Sequence, residues 1–233
     1  MEYQAILFDL DGTLLPMDQE VFVKAYFGLL VKKVAPLGYD PEKLVDSIWK
    51  GTYAMIQNDG SCINYDRFWE VFESIYGKEK LQDRPIFDSF YENEFQQAKQ
   101  ACGFSSWAKK IVDLCQDRGP CILATNPIFP QVATHSRIRW AGLDPDNFEF
   151  ITTYENSTTC KPNPQYYREI TGRLGLDPAR CLMIGNDVAE DMIAKTLGMD
   201  TFLVTDCLIN SKNEDLSGYR RGTLQELYGW LMD

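Results

Sequence analysis

Two kinds of side chain are scarce in this sequence, and each scarcity removes a class of function. There is one histidine, His135, in 233 residues, and the seven cysteines (Cys62, Cys102, Cys115, Cys121, Cys160, Cys181 and Cys207) include no CxxC pair. A structural zinc site draws on Cys and His at short, paired spacings, so none is expected. An odd number of irregularly spaced cysteines inside apolar segments reads as reduced core thiols, and hence as a cytoplasmic protein. Positive charge is the second shortage. Lys and Arg number 23 against 34 Asp and Glu, giving a net charge of −11 and a sequence pI near 4.6, and no basic cluster interrupts the pattern. That excludes a nucleic-acid groove and an anionic membrane surface as partners. No apolar run is long enough to cross a bilayer, and the first 15 residues carry two Asp and no basic segment, unlike a signal peptide. Neither GxxxxGK[ST] nor GxGxxG occurs, which removes the common nucleotide-binding loops.

What is present is a folded core, with 45% hydrophobic and 13% aromatic residues. Residues 4–8 form a short apolar strand that ends in Asp9-Leu10-Asp11-Gly12-Thr13, where glycine permits a tight turn. From residue 18 to 100 the pattern is helical, with Phe22, Tyr26, Phe27 and Leu30 on one face and Phe68, Trp69, Phe72 and Tyr76 on another. After residue 105, helices (106–118, 130–141, 164–174, 190–197 and from 224) alternate with strands (120–124, 148–152, 181–184, 201–204). Alternation of this kind predicts an α/β fold, a Rossmann-like parallel sheet with helices on both faces. Since the first strand precedes the helical stretch, residues 1–16 and 101–233 are expected to form the α/β core. Residues 17–100 then form an inserted all-helical domain, hinged near 15–17 and 101–103.

Ligands of an open parallel sheet bind beyond the carboxyl ends of its strands. Those ends carry Asp9 and Asp11, then Thr125 and Asn126, then Asp187 with Asp191 four residues on. Lys161 stands just before Asn163 and Pro164, which read as the N-cap and first residue of a helix. Converging carboxylates at Asp9, Asp11 and Asp187 need a cation among them, and hard oxygen donors suit Mg²⁺. The set makes sense for phosphoryl transfer. Asp9 can attack phosphorus, and Asp11 can protonate the leaving alkoxide and then deprotonate water. Thr125 and the Asn126 backbone can donate to the phosphoryl oxygens, while Lys161 supplies the positive charge that an acidic protein otherwise lacks.

These motifs, in this order, resemble the haloacid dehalogenase superfamily of phosphatases over essentially the whole chain. The resemblance rests on Asp9-Leu10-Asp11-Gly12-Thr13, Thr125 after an apolar strand, Lys161 before a Pro-started helix, and Asp187 with Asp191 after Gly185. It implies a Mg²⁺-dependent hydrolase of a small phosphorylated metabolite, with metal at Asp9, Asp11, Asp187 and Asp191 and a helical cap over the site. The family often places Asp directly after the glycine of its last motif, whereas Asn186 intervenes here. Asp191 is therefore expected either to ligate metal or to orient Lys161. The alternatives are a phosphomutase of the same family, which needs basic groups for a bisphosphate, and a phospho-accepting receiver domain, which lacks an insert of this length. Glu190 and His135 read as ordinary solvated residues, and Tyr53, Tyr65 and Trp69 as cap aromatics able to line the substrate side. The turn at Asn58 and Asp59, in the loop 55–63, is the expected specificity element, placing polar tips over the substrate.

Overall fold

The computed structural model describes residues 3–233. Six parallel strands form one sheet: β1 (Ala5–Phe8), β2 (Cys121–Leu123), β3 (Phe150–Ile151), β4 (Cys181–Gly185), β5 (Asp200–Val204) and β6 (Arg220–Gly222). Their spatial order is β3-β2-β1-β4-β5-β6, so β1 lies between β2 and β4 and the chain reverses its direction of winding beside it. Successive side chains of a strand point to opposite faces, and the core divides accordingly. Ile6, Phe8, Cys121, Leu123, Leu182 and Ile184 belong to one buried cluster, and Ala5, Leu7, Ile122, Ala124 and Met183 to the other. Both faces are therefore covered, which explains why the strands read as continuous apolar runs rather than alternating ones.

Between β1 and β2 the chain forms α1 (Gln19–Val34), α2 (Pro41–Ile56), α3 (Asn64–Tyr76) and α4 (Arg84–Glu92), then α5 (Ser106–Gln116). Asp18 and Asp40 cap α1 and α2 by accepting from backbone N–H groups two or three residues on. Such caps are each worth about 1 kcal/mol. The two connections joining the helical insert to the sheet run side by side: Met17 pairs with Cys102, and the Gly103 N–H donates to the Pro16 carbonyl at 2.7 Å. Three helices complete the chain: α6 (Gln131–Trp140) after β2, α7 (Pro164–Leu174) before β4, and α8 (Leu224–Met232) at the end. Asn163 caps α7 through the Gln165 N–H, with Pro164 first in the helix, as its sequence predicts. Two elements differ from expectation. Residues 192–197 wind as a 3₁₀ segment rather than an α-helix, and the exposed strand β6 has no apolar run to announce it. Among the described residues no helix is long and apolar enough to cross a membrane.

Candidate active site

The sheet places the polar groups as its topology requires. Asp9 and Asp11 follow β1, Thr125 and Asn126 follow β2, and Asn186, Asp187, Glu190 and Asp191 follow β4; all eight line one cavity of about 890 Å³. The helical insert closes its other side with Met17, Gln19, Phe22, Val23, Trp49, Thr52 and Ile56.

Asp9 is held from both oxygens. Lys161 Nζ donates to Oδ1 at 2.8 Å and Thr13 Oγ1 donates to Oδ2 at 3.1 Å. Lys161 is wholly buried beside Asp9 and donates equally to Asp191 Oδ1 at 2.6 Å. Burial by itself lowers an ammonium pKa, but Asp191 and Asp9 reverse the effect, and Lys161 ends well above the ordinary lysine value. It is a fixed cation. The second oxygen of Asp191 accepts the Asp187 N–H at 2.9 Å, so both of its oxygens are engaged. Close approach of Asp191 demands glycine at 185, where a Cβ would stand 2.2 Å from the carboxylate.

Asn186 answers the departure in the last motif. Its Oδ1, 2.9 Å from Thr13 Oγ1, shares that hydroxyl's single proton with Asp9, and its Nδ2 donates to the Cys207 carbonyl at 2.7 Å, clamping the turn that presents Asp9 and Asp11. Gly12 lies against this amide with φ of 86°, and a Cβ there would meet Asn186 Nδ2 at 2.3 Å. Asn126 bridges three parts of the site, accepting the Lys161 backbone N–H at 3.2 Å and donating to Glu190 Oε2 at 3.1 Å. Glu190 is thus a cavity residue and not the solvated acid expected from sequence; burial, with Asp191, Asp187 and Asp9 adding and Lys161 opposing, pushes its carboxyl up to about 8.

One functional residue escapes sequence reasoning altogether. Arg137 of α6 is buried to 1% exposure and ion-pairs through Nη1 with Asp11 Oδ2. Its guanidinium lies 4.4 Å from the Phe129 ring centroid, and Nη2 and Nε donate to Thr134 Oγ1 and the Ala133 carbonyl. Burial raises the Asp11 pKa above its ordinary value, with Arg137 opposing and Asp9 adding. The other oxygen, Asp11 Oδ1, is buried with no hydrogen-bond partner.

Among the described residues no three Asp, Glu, His or Cys side chains form a ready-made metal cage. The donor set nevertheless fits a hard divalent cation in kind. It consists of carboxylates around one cavity, with an orphaned oxygen on Asp11 and a Glu190 carboxyl raised first by burial and further by Asp191, Asp187 and Asp9. The turn at Asn58 and Asp59 is a correction. Asn58 is buried and turned to the Cys62 carbonyl and Asn64, while Asp59 is exposed and occupied with the Ser61 N–H and Arg67; neither lines the cavity. The short polar side chains satisfy their own loop instead of reaching over the sheet.

The model of the haloacid dehalogenase-like hydrolases matches residues 3–195. The chain belongs to that family. Among its relatives, YhcW of Bacillus subtilis (strain 168), named as a phosphatase, is 37% identical over 211 residues, 86% of this chain and 83% of its own length. The glyceraldehyde 3-phosphate phosphatase of Methanothermobacter thermautotrophicus (strain ATCC 29096 / DSM 1053 / JCM 10044 / NBRC 100330 / Delta H) is 25% identical over 219 residues, 91% and 89% of the two chains. The fold is shared with YfnB of B. subtilis, a hydrolase-named member whose structure carries magnesium, at a TM-score of 0.60 and 18% identity with both chains covered completely.

Proposed function

We propose that the chain hydrolyses a phosphomonoester through a covalent phosphate on Asp9. The observation that carries this reading is the double restraint of Asp9, with one donor on each oxygen and the carboxylate facing the cavity. A nucleophile fixed in one orientation meets the geometric demand of in-line attack. An Asp9 oxygen bonds to phosphorus as the ester P–O bond breaks, and the protonated Asp11 gives its proton to the departing alkoxide. Asp11 then takes a proton from water as that water attacks phosphorus. The bond to Asp9 breaks, inorganic phosphate leaves, and both carboxyl groups are restored. Thr125 and Asn126 stand where they can donate to the phosphoryl oxygens, and Lys161 holds positive charge beside Asp9 throughout.

Mg²⁺ is the cation that these oxygen donors fit; Asp9 and Asp187 would hold it with Asp11 beside them, and it would neutralise charge on the phosphoryl group. Asp191, only 1% exposed and lying between Lys161 Nζ and the Asp187 N–H, is assigned to positioning Lys161 rather than to the metal. Residues 17–100 act as the cap, a role supported by the seven side chains they contribute to the cavity wall. The free state of all seven cysteines fits a cytoplasmic setting.

The test is phosphate release from an aryl phosphate with Mg²⁺, abolished by EDTA and by Asp9→Asn. Normal turnover by that variant would refute the nucleophile. Asp11→Asn should slow alkyl phosphates more than aryl ones, because a good leaving group needs little acid assistance.

A further inference from the structure

The catalytic cavity does not end at the carboxylates. A second cavity, of about 720 Å³, lies between the helical insert and the segments after β2 and β3, and the two share Val23, Trp49, Thr52, Ile128 and Phe129 as a common wall. Beyond that wall the lining is almost entirely apolar: Leu30, Ile48, Phe68, Phe87 and the faces of Tyr26 and Trp69. The tyrosine hydroxyls at its far side are turned to each other, Tyr26 to Tyr91 at 2.9 Å. Phe129 is fixed from both sides, with the Arg137 guanidinium 4.4 Å from its ring centroid and the rings of Phe22 and Tyr26 6.3 and 5.5 Å away.

The charges are one-sided. No Lys, Arg or His lines either cavity, whereas Asp9, Asp11, Asp187, Glu190 and Asp191 line the first and Asp88 the second. The cation on the Asp88 helix, Arg84, lies over the Trp69 ring at 4.7 Å and does not line the space. Lys161 and the Mg²⁺ that the carboxylates would hold serve the reacting phosphate, whereas a second phosphate or a carboxylate beyond Phe129 would enter an apolar interior with no counter-charge, losing its hydration without replacement.

We propose that the leaving alcohol is an uncharged, largely apolar group of aromatic or alicyclic shape, seated in that second cavity beyond Phe129 and Trp49. This assignment rests on the phosphomonoesterase reading and narrows it. It selects against the bisphosphate of a phosphomutase and against small phosphorylated acids, because neither has a cation to meet it.

The experiment compares kcat/KM for phenyl, 1-naphthyl, 4-carboxyphenyl and glycerol phosphates, with Asp9→Asn as the control for enzymatic release. The second ring should raise kcat/KM at least ~10-fold over phenyl, since each added methylene in an apolar pocket is worth about 10- to 200-fold. The added carboxylate should lower it by a similar factor, and glycerol phosphate should rank below phenyl. Val23→Trp, which fills the shared wall, should remove the naphthyl advantage. Thr52→Arg, which puts a cation at the same junction, should reverse the order of phenyl and 4-carboxyphenyl phosphates and serves where Val23→Trp fails to fold. Asp9-dependent release that is equal for all four esters, or greatest for the charged one, overturns the inference while leaving the phosphatase reading intact. If no ester is turned over, that reading falls, and the cavity is judged on calorimetric binding of 1-naphthol. Binding that Val23→Trp or Thr52→Arg weakens at least ~10-fold sustains it; no binding, or binding indifferent to both variants, ends it.

Discussion

Replacing Lys161 by methionine removes a charge and almost no volume, and the structure sets the size of the consequence. Lys161 has no exposed side-chain surface and stands 2.8 Å from Asp9 and 2.6 Å from Asp191, itself 1% exposed. The variant leaves two carboxylates at the bottom of the site without a cation. Removing one partner of a buried pair costs about 3–5 kcal/mol, because the remaining charge has lost its water and found nothing in exchange. For a chain of this size, each kcal/mol lowers Tm by about 2–4 °C, so a fall of roughly 6–20 °C is expected. Urea unfolding in EDTA measures it without a divalent ion standing in for the ammonium. Repeating it with Mg²⁺ should recover part of the loss in Lys161→Met, since a cation among the carboxylates restores the balance. Adding Asp191→Asn to Lys161→Met keeps the acceptor for the Asp187 N–H but removes one orphaned charge, and should return part of the stability in EDTA. A loss below about 1 kcal/mol, the range of exposed pairs, or no recovery in the double variant, refutes the claim that this triad is held together by its charge balance.

Arg137→Met should destabilise the fold and reduce turnover of alkyl phosphates more than of aryl phosphates, because Asp11 loses the group that orients it; an equal loss for both would place Arg137 in a purely structural role. Arg137→Lys should not rescue, as one ammonium cannot serve Asp11, Thr134 and the Ala133 carbonyl together. Thiol alkylation of the native protein near pH 8 should mark Cys62 and Cys207 first, as counted by mass spectrometry. Burial pushes Cys102 and Cys181 up to about 11 and Cys115 and Cys121 up to about 12, and raises Cys160 further, so a thiolate fraction on the order of 10⁻³ or less is left at those five. Early modification of Cys160 would contradict the packing around it.

The strand ends were readable because a parallel sheet offers little freedom there. Once β1, β2 and β4 are recognised as apolar runs, Asp9, Thr125, Asn126 and Asp187 must emerge on one edge, and they do. Arg137 was hidden because a helical cation ordinarily faces solvent. The signal lay in α6 itself: Gln131, His135 and Arg139, at four-residue spacing, form its solvent-facing stripe, and Arg137 lies off that stripe among the buried Ala133, Thr134, Ser136, Ile138 and Trp140. A cation so placed requires an anionic partner, and the strand-end acids were the candidates. Glu190 was misread for the converse reason: its neighbours suggested a first-turn acid, but the 3₁₀ winding of 192–197 brings the preceding turn against Asn126. In the insert, the aromatic faces were legible as packing, and Trp69 does line the inner cavity, yet Tyr53 is solvent-exposed and Tyr65 packs on Tyr154. Trp49 and Thr52, which face both cavities, carry no local pattern that separates them from other helical residues.

The adjacency of Met17 and Cys102 has a consequence for how such a protein can change. The chain enters and leaves the helical insert at a single doorway, where Met17 and Cys102 are already paired, so the insert spans no wider a gap in the chain than a hairpin turn would. Lengthening or shortening what lies beyond that doorway leaves the chain path through Asp9, Lys161 and Asp191 unchanged, while Asn64 and Tyr65 keep their hydrogen bonds to the 154–160 segment. The strand-end carboxylates and the apolar walls of the insert are therefore carried by separable lengths of chain, and under the proposed reading a new substrate requires new walls around an old floor.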